Sequence, residues 1–255
     1  MKNRRRIRLL RAILLLVAVV CLIPVGQAYY LSFQHKAQEK ELKNLLETEE
    51  KSGHKSADLS KKADRTCLDK FKTLYSQNSD LTGWLVIAGT GIDDPVVQCE
   101  EDTYYLSHNF YKEEDKYGCL YIKGLADVHT PGTNVIIYGH NMKDGSMFGA
   151  LDSYRSENFY REHDLISFDT IYEERSYQIL SVFETSLSQE DAYPYYQFYH
   201  AATETEFEDF YDNVKSMSLY DTGVTAEYGD TFLTLSTCSD AGGDQRFVVV
   251  AKRIP

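Results

Sequence analysis

The chain has 255 residues, 43% of them hydrophobic, which is enough for one large domain or two small ones with a sizeable core. Its formal net charge is −12, but Lys2, Arg4, Arg5, Arg6, Arg8 and Arg11 cluster at the start; without those six, 21 basic residues face 39 acidic ones, a net of −18. A body that acidic argues against nucleic acid as a partner, because phosphate binding needs a basic face.

Residues 12–26 carry no charge, and the uncharged stretch continues to residue 33. About 20 such residues suffice to cross a bilayer as a helix, and the basic cluster before them would hold the N-terminus in the cytoplasm. A cleaved signal peptide is the rival, since Pro24, Gly26 and Ala28 resemble a cleavage site. Export follows from either. The reading adopted is an uncleaved membrane anchor over residues 1–33, because Tyr29, Tyr30 and Leu31 prolong the apolar segment. Residues 34–66 are rich in charged helix formers and read as a stalk with helical character. Residues 67–255 are left to form the folded domain.

That domain opens with Leu68, Phe71, Leu74 and Tyr75 at helical spacing, and the helix is broken over residues 78–82. Short apolar runs separated by turn signals then predict strands at 84–87, 95–98, 118–122, 134–138, 165–170, 176–183, 231–237 and 246–252, with short helical pieces near 103–106 and 147–154. Eight strands of this size predict a closed barrel, mainly β with α insertions, rather than an open alternating sheet. About forty residues lie between the strand region ending near Leu187 and the strand starting near Thr231, too many for a hairpin. Within them Thr203 and Glu206 form a capping-box pattern, followed by Phe207, Phe210, Tyr211, Val214 and Met217 on one helical face.

The last two runs, residues 232–235 and 247–251, flank a Gly- and Asp-rich turn over 239–245. The first ends on Cys238 and the second opens on Arg246. A strand end facing a loop holds a group exposed on a rigid scaffold, and a guanidinium nearby favours the thiolate. Cys238 is therefore a candidate nucleophile, although a free cysteine is more often a small buried hydrophobe. The other cysteines, Cys21, Cys67, Cys99 and Cys119, form no C-x-x-C pair with each other or with Cys238, so a thiolate zinc site is unsupported. Of seven histidines, only His140 ends an apolar strand at a loop as Cys238 does.

The run Thr234, Leu235, Ser236, Thr237, Cys238, followed eight positions later by Arg246 and an apolar strand, resembles the active-site signature of the sortases, cysteine transpeptidases of Gram-positive cell surfaces. NVIIYGHN over residues 134–141 resembles the family's histidine strand, and GWLVIAGTGIDDPVVQCEEDTYYL over 83–106 is similar to the class B branch. The resemblance covers the chain from about residue 68 to the end.

It implies a sortase-type barrel with N-terminal helices, and a helix-bearing loop before the cysteine strand, beside the active-site groove. It implies Cys238 as nucleophile, His140 as acid and base, and Arg246 as the cation for the oxyanion. Asp240 resembles an acid of some class B members that would orient His140, and is equally a turn-former before Gly242 and Gly243. Ser236 and Thr237 would line the motif pocket. The implied reaction cleaves a C-terminal sorting motif of surface proteins after threonine to give a thioester, which an amine of a cell-wall precursor or a pilin lysine resolves. It calls for no cofactor and no metal. A papain-like hydrolase has its cysteine before its histidine, the reverse of the order here. The other reading is a non-enzymatic surface adhesion barrel with Cys238 buried.

Overall fold

The structure is a computed structural model that describes residues 2–52, 66–128, 132–189, 191–238 and 243–255, Cys238 through its backbone. Asp240, the turn over 239–242 and the stalk over 53–65 therefore lie outside the described residues. The chain divides into two units, 1–44 and 45–255.

The first unit belongs to one continuous helix, α1 (Lys2–Ser52), where the sequence suggested an anchor followed by a separate stalk. Pro24 lies inside it and removes one backbone donor without ending it. At 1.5 Å per residue α1 is about 75 Å long. It is long and apolar enough to cross a membrane, and Leu14, Leu15, Leu16, Val19, Leu22 and Val25 on it are exposed.

In the second unit a single 3-10 turn (Asp69–Phe71) leads into α2 (Lys72–Gln77), as the Leu68 to Tyr75 spacing predicts. Eight strands follow: β1 (Leu81–Val86), β2 (Asp93–Gln98), β3 (Leu120–Ile122), β4 (Asn134–His140), β5 (Leu165–Thr170), β6 (Ser176–Ser186), β7 (Phe232–Cys238) and β8 (Gln245–Ile254). They close into a barrel in the order β1-β2-β3-β4-β7-β8-β6-β5. The β2/β3 and β4/β7 pairs are parallel and the others antiparallel. The first strand starts at Leu81, inside the expected break, because Leu81 already pairs with Val97. A short helix, α3 (Glu157–Glu162), was not foreseen; its signal is Ser156, whose side chain caps the Phe159 amide, with Glu157 in the first turn.

Alternation gives each strand two faces. Inward, Leu85, Val96, Leu120, Ile137, Phe168, Val182, Leu235 and Val249 fill the barrel. Outward on β6, β7 and β8, Leu180, Phe183, Phe232, Val248 and Val250 are covered by Phe207, Phe210 and Val214 of α4 (Glu204–Met217). Each such side chain contributes about 1.5–3 kcal/mol on burial. The expected cap holds α4 in place: Thr203 Oγ1 accepts from the Glu206 amide at 3.3 Å, and Glu206 Oε2 accepts from the Ala202 amide at 2.7 Å. Ser181 Oγ donates to the Val214 carbonyl at 2.5 Å and ties the helix's last turns to β6.

Candidate active site

Strands β4 and β7 end together, because their parallel register pairs Asn134 with Phe232 and runs without a shift to His140 opposite Cys238. Neighbouring strands lie about 4.8 Å apart, so the two backbones are adjacent. Antiparallel β8 pairs with β7 up to Val248 opposite Ser236, and Arg246 lies two residues before Val248 at the start of β8, as Cys238 lies two residues after Ser236 at the end of β7. By parity, His140 follows Tyr138, Arg246 precedes Val248 and Val250, and Cys238 holds a position of the same parity as Thr234 and Ser236. The three sequence-designated positions therefore share the outer face of the sheet at one end of three adjacent strands.

The strand ends are supported from the inside. Gly139 is backed by the barrel: a Cβ there would lie 2.5 Å from Leu120 Cδ2 and 2.8 Å from Phe148 Cδ2. Its absence lets the 3-10 helix over Phe148–Arg155 pack beneath the end of β4. Between β7 and β8 the ladder gives way to a side chain, with the Phe247 amide donating to Thr237 Oγ1 at 2.8 Å.

The half-buried His140 ring is held by backbone. Its Nε2 lies 2.7 Å from the Leu106 carbonyl, and since a carbonyl only accepts, Nε2 carries the proton. In the neutral ring the lone pair is then on Nδ1. Arg246 is also half-buried, and its Nη1 donates to the carbonyls of Gly243 at 3.1 Å and Gln245 at 2.9 Å. These bonds hold the guanidinium near the start of β8. A cavity of about 480 Å³ beside it is lined by Asn141, Asp152, Arg155, Glu184, Thr237 and Arg246, with Arg155 and Glu184 paired at 2.6 Å.

Ser236 and Thr237 are both buried, and both hydroxyls are engaged within the protein. Ser236 Oγ is 2.8 Å from Tyr195 Oη, which joins β7 to the long β6–β7 connection, while Thr237 holds the β8 amide. Tyr195 was not singled out in the sequence, because only tertiary packing brings it to β7. Tyr138, on the face of His140, stacks on Tyr121 with centroids 5.5 Å apart, and burial pushes its phenol up so that it stays neutral. Among the other cysteines Cys119 is buried, and burial first of all pushes its thiol up; Cys99 is shifted the same way, again mainly by burial. Neither environment favours a thiolate.

Comparison with known proteins gives a consistent result. The Sortase domain family model matches residues 85–254. Sortase B of Listeria monocytogenes is 36% identical over 174 residues, 67% of each chain. A Staphylococcus aureus sortase B–substrate complex superposes with a TM-score of 0.76 at 28% identity, covering 88% of this chain and 97% of that one. A sortase B complexed with triglycine gives 0.76 at 27% identity, covering 88% and 98%.

Proposed function

The chain belongs to the sortase family and is a cysteine transpeptidase similar to sortase B, and on that premise we propose that it is membrane-anchored through α1 and joins a surface protein to a cell-surface amine. The observation that supports the assignment of roles is the register of β4, β7 and β8, which brings His140, Cys238 and Arg246 to one sheet end.

The Cys238 thiolate attacks the carbonyl carbon of the motif's threonine, and the carbonyl π electrons move to oxygen. Arg246 stabilises that oxyanion; its planar fork of five donors can serve the substrate as well as its own loop carbonyls. As the oxyanion collapses, the C–N bond breaks and the imidazolium of His140 gives its Nδ1 proton to the departing amine. A thioester on Cys238 remains. A second amine then attacks it, His140 takes up the proton, and the thiolate leaves. Asp240 is proposed as a supporting residue only. Ser236 and Thr237 are proposed to shape the wall of the motif groove, together with the connection over residues 188–229. The sortase B solved with triglycine makes an oligoglycine-like amine a reasonable acceptor to try first.

With the basic residues before the apolar part of α1, the N-terminus lies in the cytoplasm and residues 67–255 outside. The decisive experiment incubates the detergent-solubilised full-length protein with a library of candidate sorting peptides, with and without triglycine, and follows intact mass. An acyl adduct on Cys238 that triglycine converts to a ligated peptide is expected. Adducts that only water resolves would make the protein a peptidase, and no adduct with any peptide would favour the adhesion barrel.

A further inference from the structure

His140 is the proposed acid and base, yet the partner that orients it is a main-chain carbonyl, that of Leu106. Leu106 ends a 3-10 turn (Tyr104–Leu106) that lies 34 residues away in sequence and outside the barrel strands. A carbonyl can orient a ring only if something holds the carbonyl, and the bonds around this turn are unusually complete.

Tyr105, at the centre of the turn, is buried to 1% exposure and points its hydroxyl inward. That hydroxyl donates to Asp80 Oδ2 at 2.7 Å and accepts from Asn78 Nδ2 at 2.9 Å. Asn78 is itself 2% exposed; its Nδ2 also donates to the Phe110 carbonyl at 2.8 Å, and its Oδ1 accepts from the Asp80 amide at 2.9 Å. Lys112 reaches Asp80 Oδ2 from the surface at 2.9 Å. On the other side the Cys119 amide donates to the Tyr105 carbonyl at 2.9 Å, and His108 Nδ1 lies 2.8 Å from the Tyr104 carbonyl. Gly118, at φ +63°, faces the same carbonyls: a Cβ there would run into the Tyr105 oxygen and come within 3.0 Å of the Leu106 oxygen. Burial pushes the Tyr105 phenol up, so it stays a donor to Asp80.

We propose that Asn78, Asp80 and Tyr105 are positioning residues for catalysis: they clamp the Tyr104–Leu106 turn so that the Leu106 carbonyl holds Nε2–H of His140, the task a carboxylate performs in a Cys-His-acid triad. A hydrogen bond from imidazolium to the carbonyl is stronger than one from neutral imidazole, so the contact persists while the ring carries the proton meant for the leaving amine. It also directs Nδ1, rather than Nε2, to the reaction. The inference rests on His140 being the acid and base.

Two readouts test it on the full-length protein. The first is the ring tautomer of His140, read from its ring nitrogen chemical shifts by NMR in a Cys238→Ala background, the signal being identified by its loss in His140→Ala. Adding Tyr105→Phe should move the ring away from the Nε2–H tautomer, because the acceptor that selects it is no longer held in place. The second readout is acylation by the Cys238-containing protein, where Tyr105→Phe should reduce kcat about 5–30-fold with KM little changed, as expected when a positioned general acid is lost in part. Because Tyr105→Phe disturbs a buried network, Lys112→Ala serves as the second variant; it removes an exposed partner of Asp80 and should shift the tautomer balance the same way by less. An unmoved His140 tautomer balance in Lys112→Ala and in any folded Tyr105→Phe overturns the proposal. Full activity in His140→Ala would instead overturn the catalytic reading beneath it.

Discussion

The two faces of β7 are equally buried from Phe232 to Thr237, yet they are built differently. Inward, Leu233 and Leu235 are 0% exposed among other apolar side chains of the barrel interior. Outward, Thr234 and Ser236 are also 0% exposed, but each hydroxyl has a partner from another element: Asn134 Oδ1 at 2.9 Å and Tyr195 Oη at 2.8 Å. Apolar packing is tolerant of neighbour identity, whereas a buried hydroxyl is stable only against a partner in the right place. The inner face thus stabilises the barrel, and the outer face holds β4 and the long connection in register with the strand that ends on Cys238.

If the faces divide the work this way, substitutions on them should separate rate from stability. The largest effect belongs to the strand end: Cys238→Ala should abolish acyl-enzyme formation in the intact-mass assay while the thermal midpoint stays near wild type. His140→Ala should lower the acylation rate by about 10²–10⁴, the usual range for a lost general acid. If His163→Ala were the more damaging change, the outer-face assignment would rest on the wrong histidine. Arg246→Lys keeps the charge but replaces a fixed fork with a point charge, and should cost about a hundredfold in single-turnover acylation. A loss below about threefold, far under that donor-deletion scale, would leave the oxyanion to backbone amides.

The inner face should answer in the opposite sense. Leu235→Ala leaves a cavity in the barrel and should reduce stability by about 2–5 kcal/mol in denaturant unfolding. The fraction that remains folded should acylate at close to the wild-type rate. A rate defect as large as that of Arg246→Lys would mean that the inner packing sets the site geometry directly. The mildest change exchanges the connection over residues 188–229 for that of a related sortase. Its docking through α4 should preserve the barrel while the preferred motif changes, and an unchanged preference in a folded chimera would count against a role for this segment in recognition.

The barrel was legible because its strands announce themselves locally. Runs such as 134–138 and 246–252 are short, β-branched and bounded by turn residues, and their observed limits differ from expectation by only a few residues. Helix α4 was legible for the same kind of reason, since Thr203, Glu206 and the Phe207, Phe210, Val214 stripe act within a few residues of one another. Helix α3 carries a weaker signal, with one capping serine and six residues.

The chain by itself also marked Cys238, His140 and Arg246, because side-chain type and strand-end position are sequence properties and the family motif is contiguous. What it did not contain is the support around them. The Leu106 carbonyl is invisible to any reading of side-chain types, since every residue carries one, and its bond to His140 depends on a turn 34 residues distant. Tyr195 meets Ser236 across 41 residues, and Tyr105 meets Asp80 across 25. The parallel β4/β7 pairing that sets His140 against Cys238 spans nearly a hundred residues of chain. Local sequence decides which strands and helices form because propensity, capping and periodicity act over a few residues. Which polar groups then face one another is decided only when the barrel closes, because burial removes water and leaves each donor or acceptor to the partner that the register supplies.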